Sequence, residues 1–147
     1  MSANDRQAAD LIRHALAARE KAYAPYSRFR VGSALLDAQG NVHLGCNVEN
    51  AAYGPTNCAE RTALFRAIAD GVPPGSFAAI AVVGDTDSPI TPCGVCRQVL
   101  LELCPPDMPV YMANMKGDVA IATVSELLPG GFGPDQLTQP HPAHDQN

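Results

Sequence analysis

Apolar positions change period several times along the chain, and each change predicts an element. In "DRQAADLIRHALAAREKAY", Ala8, Leu11, Ile12, Ala15 and Leu16 recur at helical spacing, with Arg19 extending the stripe. Polar residues fill the other side, which predicts an amphipathic helix ended by Pro25. His14, alone near that stripe, reads as structural. "RFRVGSALLDAQGNVHLGCNVEN" then predicts two strands joined by a turn at Ala38 to Asn41, with Gly40 supplying the unusual dihedral. "TNCAERTALFRAIADG" returns to helical spacing, with Thr56 or Asn57 as the cap and Gly71 after the last turn.

"FAAIAVVG" is a continuous apolar run and predicts a strand buried on both faces. A third helix follows in "CRQVLLELC", stopped by Pro105-Pro106, then strands in "MPVYMAN" and "DVAIATV" around a turn at Gly117. "SELLPGGFG" reads as a short helical turn ended by Pro129, and "PDQLTQPHPAHDQN" as a frayed polar tail whose His141 and His144 are not ligands. The order αββαβαββ predicts an α/β layered domain with five strands over residues 1–137 and a tail over 138–147.

Composition narrows the class. The 147 residues suffice for one domain with a real core, and 46% hydrophobic against 17% charged residues is globular. A net charge of −5 gives no basic footprint for nucleic acid. There is no apolar signal core or membrane span, so the expected location is the cytoplasm. Five cysteines in a reducing compartment read as thiols or metal ligands rather than as a disulfide framework.

The chemistry lies where two helices begin. One opens with Cys58-Ala59-Glu60 and the other with Pro92-Cys93-Gly94-Val95-Cys96. Helix N-termini favour thiolates, and the Cys-x-x-Cys spacing lets one turn wrap an ion. Three thiolates leave the fourth position of a tetrahedral zinc open for water, the mark of a catalytic rather than a closed structural site. Glu60, in the first turn, can stand over that position and move a proton. Alone, it would only complement the helix dipole. Arg61 can offset the excess negative charge by bonding two sulfurs, and Arg97 is either a second such group or a solvated residue. Cys104 lies about 12 Å along its helix from Cys96 and is out of reach. Cys46 remains open as a fourth ligand, although both read better as small buried hydrophobes. A thioredoxin-like redox pair would need neither Cys58 nor Glu60.

Cys-x-Glu followed by Pro-Cys-x-x-Cys is the pattern of zinc nucleobase deaminases. With "FRVGSALL", "GCNVENAAYGPTNCAERTALFRAI", "PCGVCRQVLLEL" and "SELLPGGF" in order from about Tyr26 to Leu137, the chain resembles the homotetrameric cytidine deaminases. The resemblance implies a three-layer α-β-α fold with a five-stranded mixed sheet and a homotetramer with shared active sites. It implies hydrolytic deamination of cytidine and deoxycytidine in pyrimidine salvage, with one Zn2+ per chain. By position, Cys58, Cys93 and Cys96 take the ligand roles and Glu60 the proton shuttle. Asn47 and Glu49 match the pair on the ribose hydroxyls, Phe29 the ring on the pyrimidine, and Phe132, Ala51 and Tyr53 contributions to a neighbour's site. Asn57 departs from the family's usual aliphatic residue. The rival readings are a deaminase of a related aminopyrimidine nucleoside such as blasticidin S, a polynucleotide-editing deaminase, and a non-catalytic zinc-binding module.

Overall fold

The computed structural model describes residues 2–138; residues 139–147, including His141 and His144, lie outside it. Among the described residues, β1 (Val31–Asp37), β2 (Val42–Cys46), β3 (Phe77–Gly84), β4 (Pro109–Ala113) and β5 (Val119–Thr123) form one sheet. Its order is β2-β1-β3-β4-β5. The pairings are antiparallel except between β3 and β4, so the sheet is mixed, as expected. No described helix is long and apolar enough to cross a membrane.

Central β3 presents a different side-chain size on each face. Ala79, Ala81 and Val83 join Ala34, Tyr111 and Ala113 beneath α1 (Ala3–Arg19), which supplies Ala8, Leu11 and Ala15. Ile80 and Val82, with Leu35, Val110 and Met112, face α2 (Ala59–Ala69) and α3 (Gly94–Leu103). Successive strand residues point to opposite faces, so a run that is apolar throughout builds two cores at once. The result is the three-layer α-β-α arrangement, with α1 alone on one side.

Two glycines let the helices touch the sheet. A Cβ on Gly32 would lie 1.9 Å from the Ala15 carbonyl oxygen, and one on Gly45 would lie 2.3 Å from that of Ala59. No side chain fits at either place, so α1 rests directly on β1 and the first turn of α2 rests on β2.

Several expectations shift in detail. The first helix ends at Arg19, not Pro25. The chain is drawn away early because Tyr23 donates to the Asn47 carbonyl and accepts from Glu49 N–H, bridging to Val48. Neither Thr56 nor Asn57 caps α2; its N-cap is Cys58, with no side-chain hydrogen bond. Asn57 is held extended by a backbone bridge to Val48, which delays the helix by one residue and leaves the Cys58 thiol without a capping role. A short α4 (Val124–Leu127) is capped by Thr123 and Glu126. Asp135–Thr138, expected to fray, forms a final turn, α5.

Candidate metal centre and active site

The starts of α2 and α3 meet at one end of the sheet. Cys58 is the N-cap of α2, Cys93 is the N-cap of α3, and Cys96 lies in the first turn of α3. Their three sulfurs lie within 4.8 Å of one another, and Cys58 Sγ is 3.7 Å from Cys93 Sγ. A tetrahedral ion with Zn–S bonds of about 2.3 Å needs sulfurs about 3.8 Å apart, so the spacing suits zinc. Cys46 is outside the cluster; its thiol faces the Lys21 carbonyl at 3.5 Å. Cys104 is buried at the far end of α3, where desolvation pushes its thiol up to about 12.

Charge at the sulfurs is already arranged for a cation. Hydrogen bonding from Cys96, followed by bonds from Arg61 and Cys93, holds the Cys58 thiol well below its ordinary range against the burial that opposes it. Cys96 is the reciprocal partner, its thiol raised by the bond to Cys58 and by desolvation. Arg61 Nη2 donates to Cys58 Sγ at 3.2 Å, and its charge also bears on Cys96. Arg61 Nε is buried without an acceptor among the described residues. A guanidinium half-withdrawn from water against sulfur is stable when the sulfur carries negative charge. The donor set therefore fits a thiophilic dication.

Glu60 lies on the buried face of α2 beside Ala59, Ala63, Leu64 and Ala67 and is only 4% exposed. Burial pushes its carboxyl up to about 7, and the Cys58 charge adds to the rise. An acid–base group with a pKa near neutrality is what proton transfer at neutral pH requires.

A cavity of about 580 Å³ opens over Glu60, Cys58 and Cys93 and includes Phe29, Asn47 and Glu49 in its wall. Asn47 is buried and fixed on both sides: Oδ1 accepts from Val31 N–H at 2.9 Å and Nδ2 donates to the Phe29 carbonyl at 2.7 Å. Glu49 Oε1 accepts from the N–H groups of Tyr26 and Ser27, and Oε2 from the Ser27 hydroxyl. These bonds, the Ser27 hydroxyl foremost, lower its pKa and keep it ionised.

The remaining candidates stand apart. Tyr53, 80% exposed, lines a smaller adjoining cavity, and Ala51 is exposed in the same loop. Phe132 is 54% exposed and is in the wall of neither cavity. Arg97 neither meets the sulfurs nor lies in solvent; it bonds the carbonyls of Pro92 and Leu127. Ser27 and the loop residues Thr86, Ser88, Pro89 and Ile90 complete the cavity. No motif marks them, and only the loop's place before Pro92 could have pointed to it.

Comparison with known proteins agrees with this geometry. Residues 5–112, well over half of the chain, match the family model for the cytidine and deoxycytidylate deaminase zinc-binding region. The chain is 56% identical over 128 residues to a cytidine deaminase of Sporosarcina psychrophila, covering 87% of this chain and 93% of that one. It is 58% identical over 127 residues to a cytidine deaminase of Halalkalibacterium halodurans, covering 86% and 95% respectively. The crystal structure of a cytidine deaminase from Burkholderia pseudomallei superposes with a TM-score of 0.83 at 57% identity, covering 90% of this chain and all of that one. With sequence, fold and thiol cluster in agreement, the chain belongs to the cytidine deaminase family of hydrolytic deaminases.

Proposed function

We propose that the chain is a cytoplasmic, zinc-dependent enzyme of pyrimidine salvage. It converts cytidine and deoxycytidine to uridine and deoxyuridine with release of ammonia. The observation that carries this reading is a buried carboxylate, Glu60, set beside three converging cysteine sulfurs at the base of a nucleoside-sized cavity. No Lys, Arg or His is among the cavity's wall residues, which favours an uncharged nucleoside over a nucleotide.

Cys58, Cys93 and Cys96 would hold the zinc, with Arg61 moderating their charge. Bound zinc supplies Lewis-acid activation of the attacking water. The Phe29 ring packs on the pyrimidine. Asn47 keeps one amide hydrogen and one carbonyl lone pair for the sugar, and Glu49 keeps an acceptor site for a hydroxyl hydrogen. Because both side chains are already held by the backbone, little freedom is lost on binding. Glu60 takes a proton from the attacking water, delivers it to N3 of the ring, and then assists departure of the 4-amino group.

The working form is a homotetramer with shared sites. This reading is supported by Phe132, Tyr53 and Ala51, which face outward from their own chain. The decisive experiment follows the ultraviolet absorbance of cytidine with and without a chelator, beside metal analysis of Glu60→Gln. The expected result is one zinc per chain, turnover abolished by the chelator, and a Glu60→Gln protein that keeps its zinc but is slower by on the order of 10^3-fold. Full activity in Glu60→Gln would reject the reading.

A further inference from the structure

The beginning of α3 carries two side chains that tie distant segments together. Arg97 Nε donates to the Pro92 carbonyl at 2.7 Å, in the peptide that leads into Cys93. From the same guanidinium, Nη1 donates to the Leu127 carbonyl at 2.9 Å, in the last residue of α4. The next residue, Gln98, donates through Nε2 to the Phe132 carbonyl at 2.8 Å. Between those anchors the chain has no slack. A Cβ on Gly131 would lie 2.5 Å from Leu101 Cδ2 on α3 and 2.8 Å from Leu128 Cγ. The backbone of residues 127–132 is therefore pinned to α3 while the Phe132 ring stays 54% exposed.

Both acceptors of Arg97 are main-chain carbonyls, so the side chain sets backbone position and not local charge balance. A planar guanidinium can present two N–H groups at a fixed angle to two chain segments, which a lysine ammonium does not reproduce. We infer that Arg97 is a positioning residue that couples the Cys93 loop to the Leu127–Phe132 segment, with Gln98 as the second anchor of that segment. The coupling joins the metal centre of one chain to the aromatic residue which that chain offers to a neighbour. It rests on the proposed reading of Cys93 as a zinc ligand.

The chain contains no tryptophan, so Phe132→Trp places a single fluorescent reporter in the segment. In the zinc-loaded Phe132→Trp protein, a chelator should strip the metal and shift the indole anisotropy. Adding Arg97→Ala should speed zinc release about tenfold, the usual effect of losing a group that orients a metal ligand. It should also leave the indole signal indifferent to zinc removal. Gln98→Ala should loosen the indole without changing zinc release. If Arg97→Ala does not fold, Arg97→Lys carries the test, with the same direction and a smaller size. Unchanged zinc release in the Arg97 variant, or an indole response to zinc that survives it, would overturn the coupling. Neither readout needs turnover, so inertness toward cytidine would reject the proposed activity while these measurements still decide the role of Arg97.

Discussion

Glu60 shows how one residue can be read from sequence and what the fold adds to it. Its place two residues after Cys58 marks it as a candidate proton carrier, and the apolar spacing of Ala63, Leu64 and Ala67 puts it on the buried stripe. Neither signal says how far its pKa moves; that depends on complete desolvation beneath the sheet. The consequence is measurable. The folded state holds the Glu60 proton more tightly than the unfolded chain, with a pKa of about 7 against an ordinary 4.5. The Glu60 contribution to the stability of metal-free protein should therefore fall as pH rises from 4.5 through 7, opposite in sign to that of the lowered Cys58 thiol, so it is read as the difference between the unsubstituted protein and Glu60→Gln. In urea titrations of chelator-stripped protein, the stability of Glu60→Gln relative to the unsubstituted protein should rise across that range, while the zinc-loaded variant turns over on the order of 10^3-fold more slowly. Ser27 was not legible in this way. Its bond to Glu49 spans 22 residues, and no local pattern foretells a serine that orients a carboxylate so distant in the chain.

Among elements, type and order were legible and contact was not. Hydrophobic period found the strands and the main helices, because each face that packs on the sheet has to be apolar. Helix ends were harder. α1 stops at Arg19 because Tyr23 is recruited by Val48, and α2 starts at Ala59 because Asn57 is held in the same bridge. Both are tertiary contacts overriding local stop and start signals. Gly45 carries the closest of the functional contacts, since α2 rests on it through the turn that bears Cys58 and Glu60. Its missing Cβ would also fall 2.5 Å from Ala63 N. Gly45→Ala should destabilise the protein by about 2–3 kcal/mol in denaturant titrations. It should also weaken zinc retention, because the displaced turn carries Cys58, a proposed ligand. Ordinary stability with tight zinc would refute that account of the contact.

At the scale of the whole molecule, a single chain brings together three cysteine sulfurs, the buried Glu60 carboxyl and the fixed side chains of Asn47 and Glu49, but its Phe132 is exposed. Phe132→Ala should raise KM for cytidine roughly tenfold. The proposed sharing of sites makes a stricter prediction. Chains carrying Glu60→Gln and chains carrying Phe132→Ala, co-assembled, should recover sites with both residues intact and exceed the summed activity of the separate proteins. Activity that merely adds would place each site within one chain. A five-stranded α/β layered domain was readable from the αββαβαββ order and its three layers from the family resemblance, whereas assembly depends on exposed surface that a one-dimensional pattern does not display. The position of β3 also sets a timetable. Cys58 and Cys93 are 35 residues apart, with the central strand running between them. In the folded chain the docking of that strand between β1 and β4 brings the sulfurs together, so a zinc held there is expected to be a late arrival and not a nucleus. Refolding in stopped-flow should proceed at one rate with or without chelator, followed by metal uptake whose rate rises with zinc concentration.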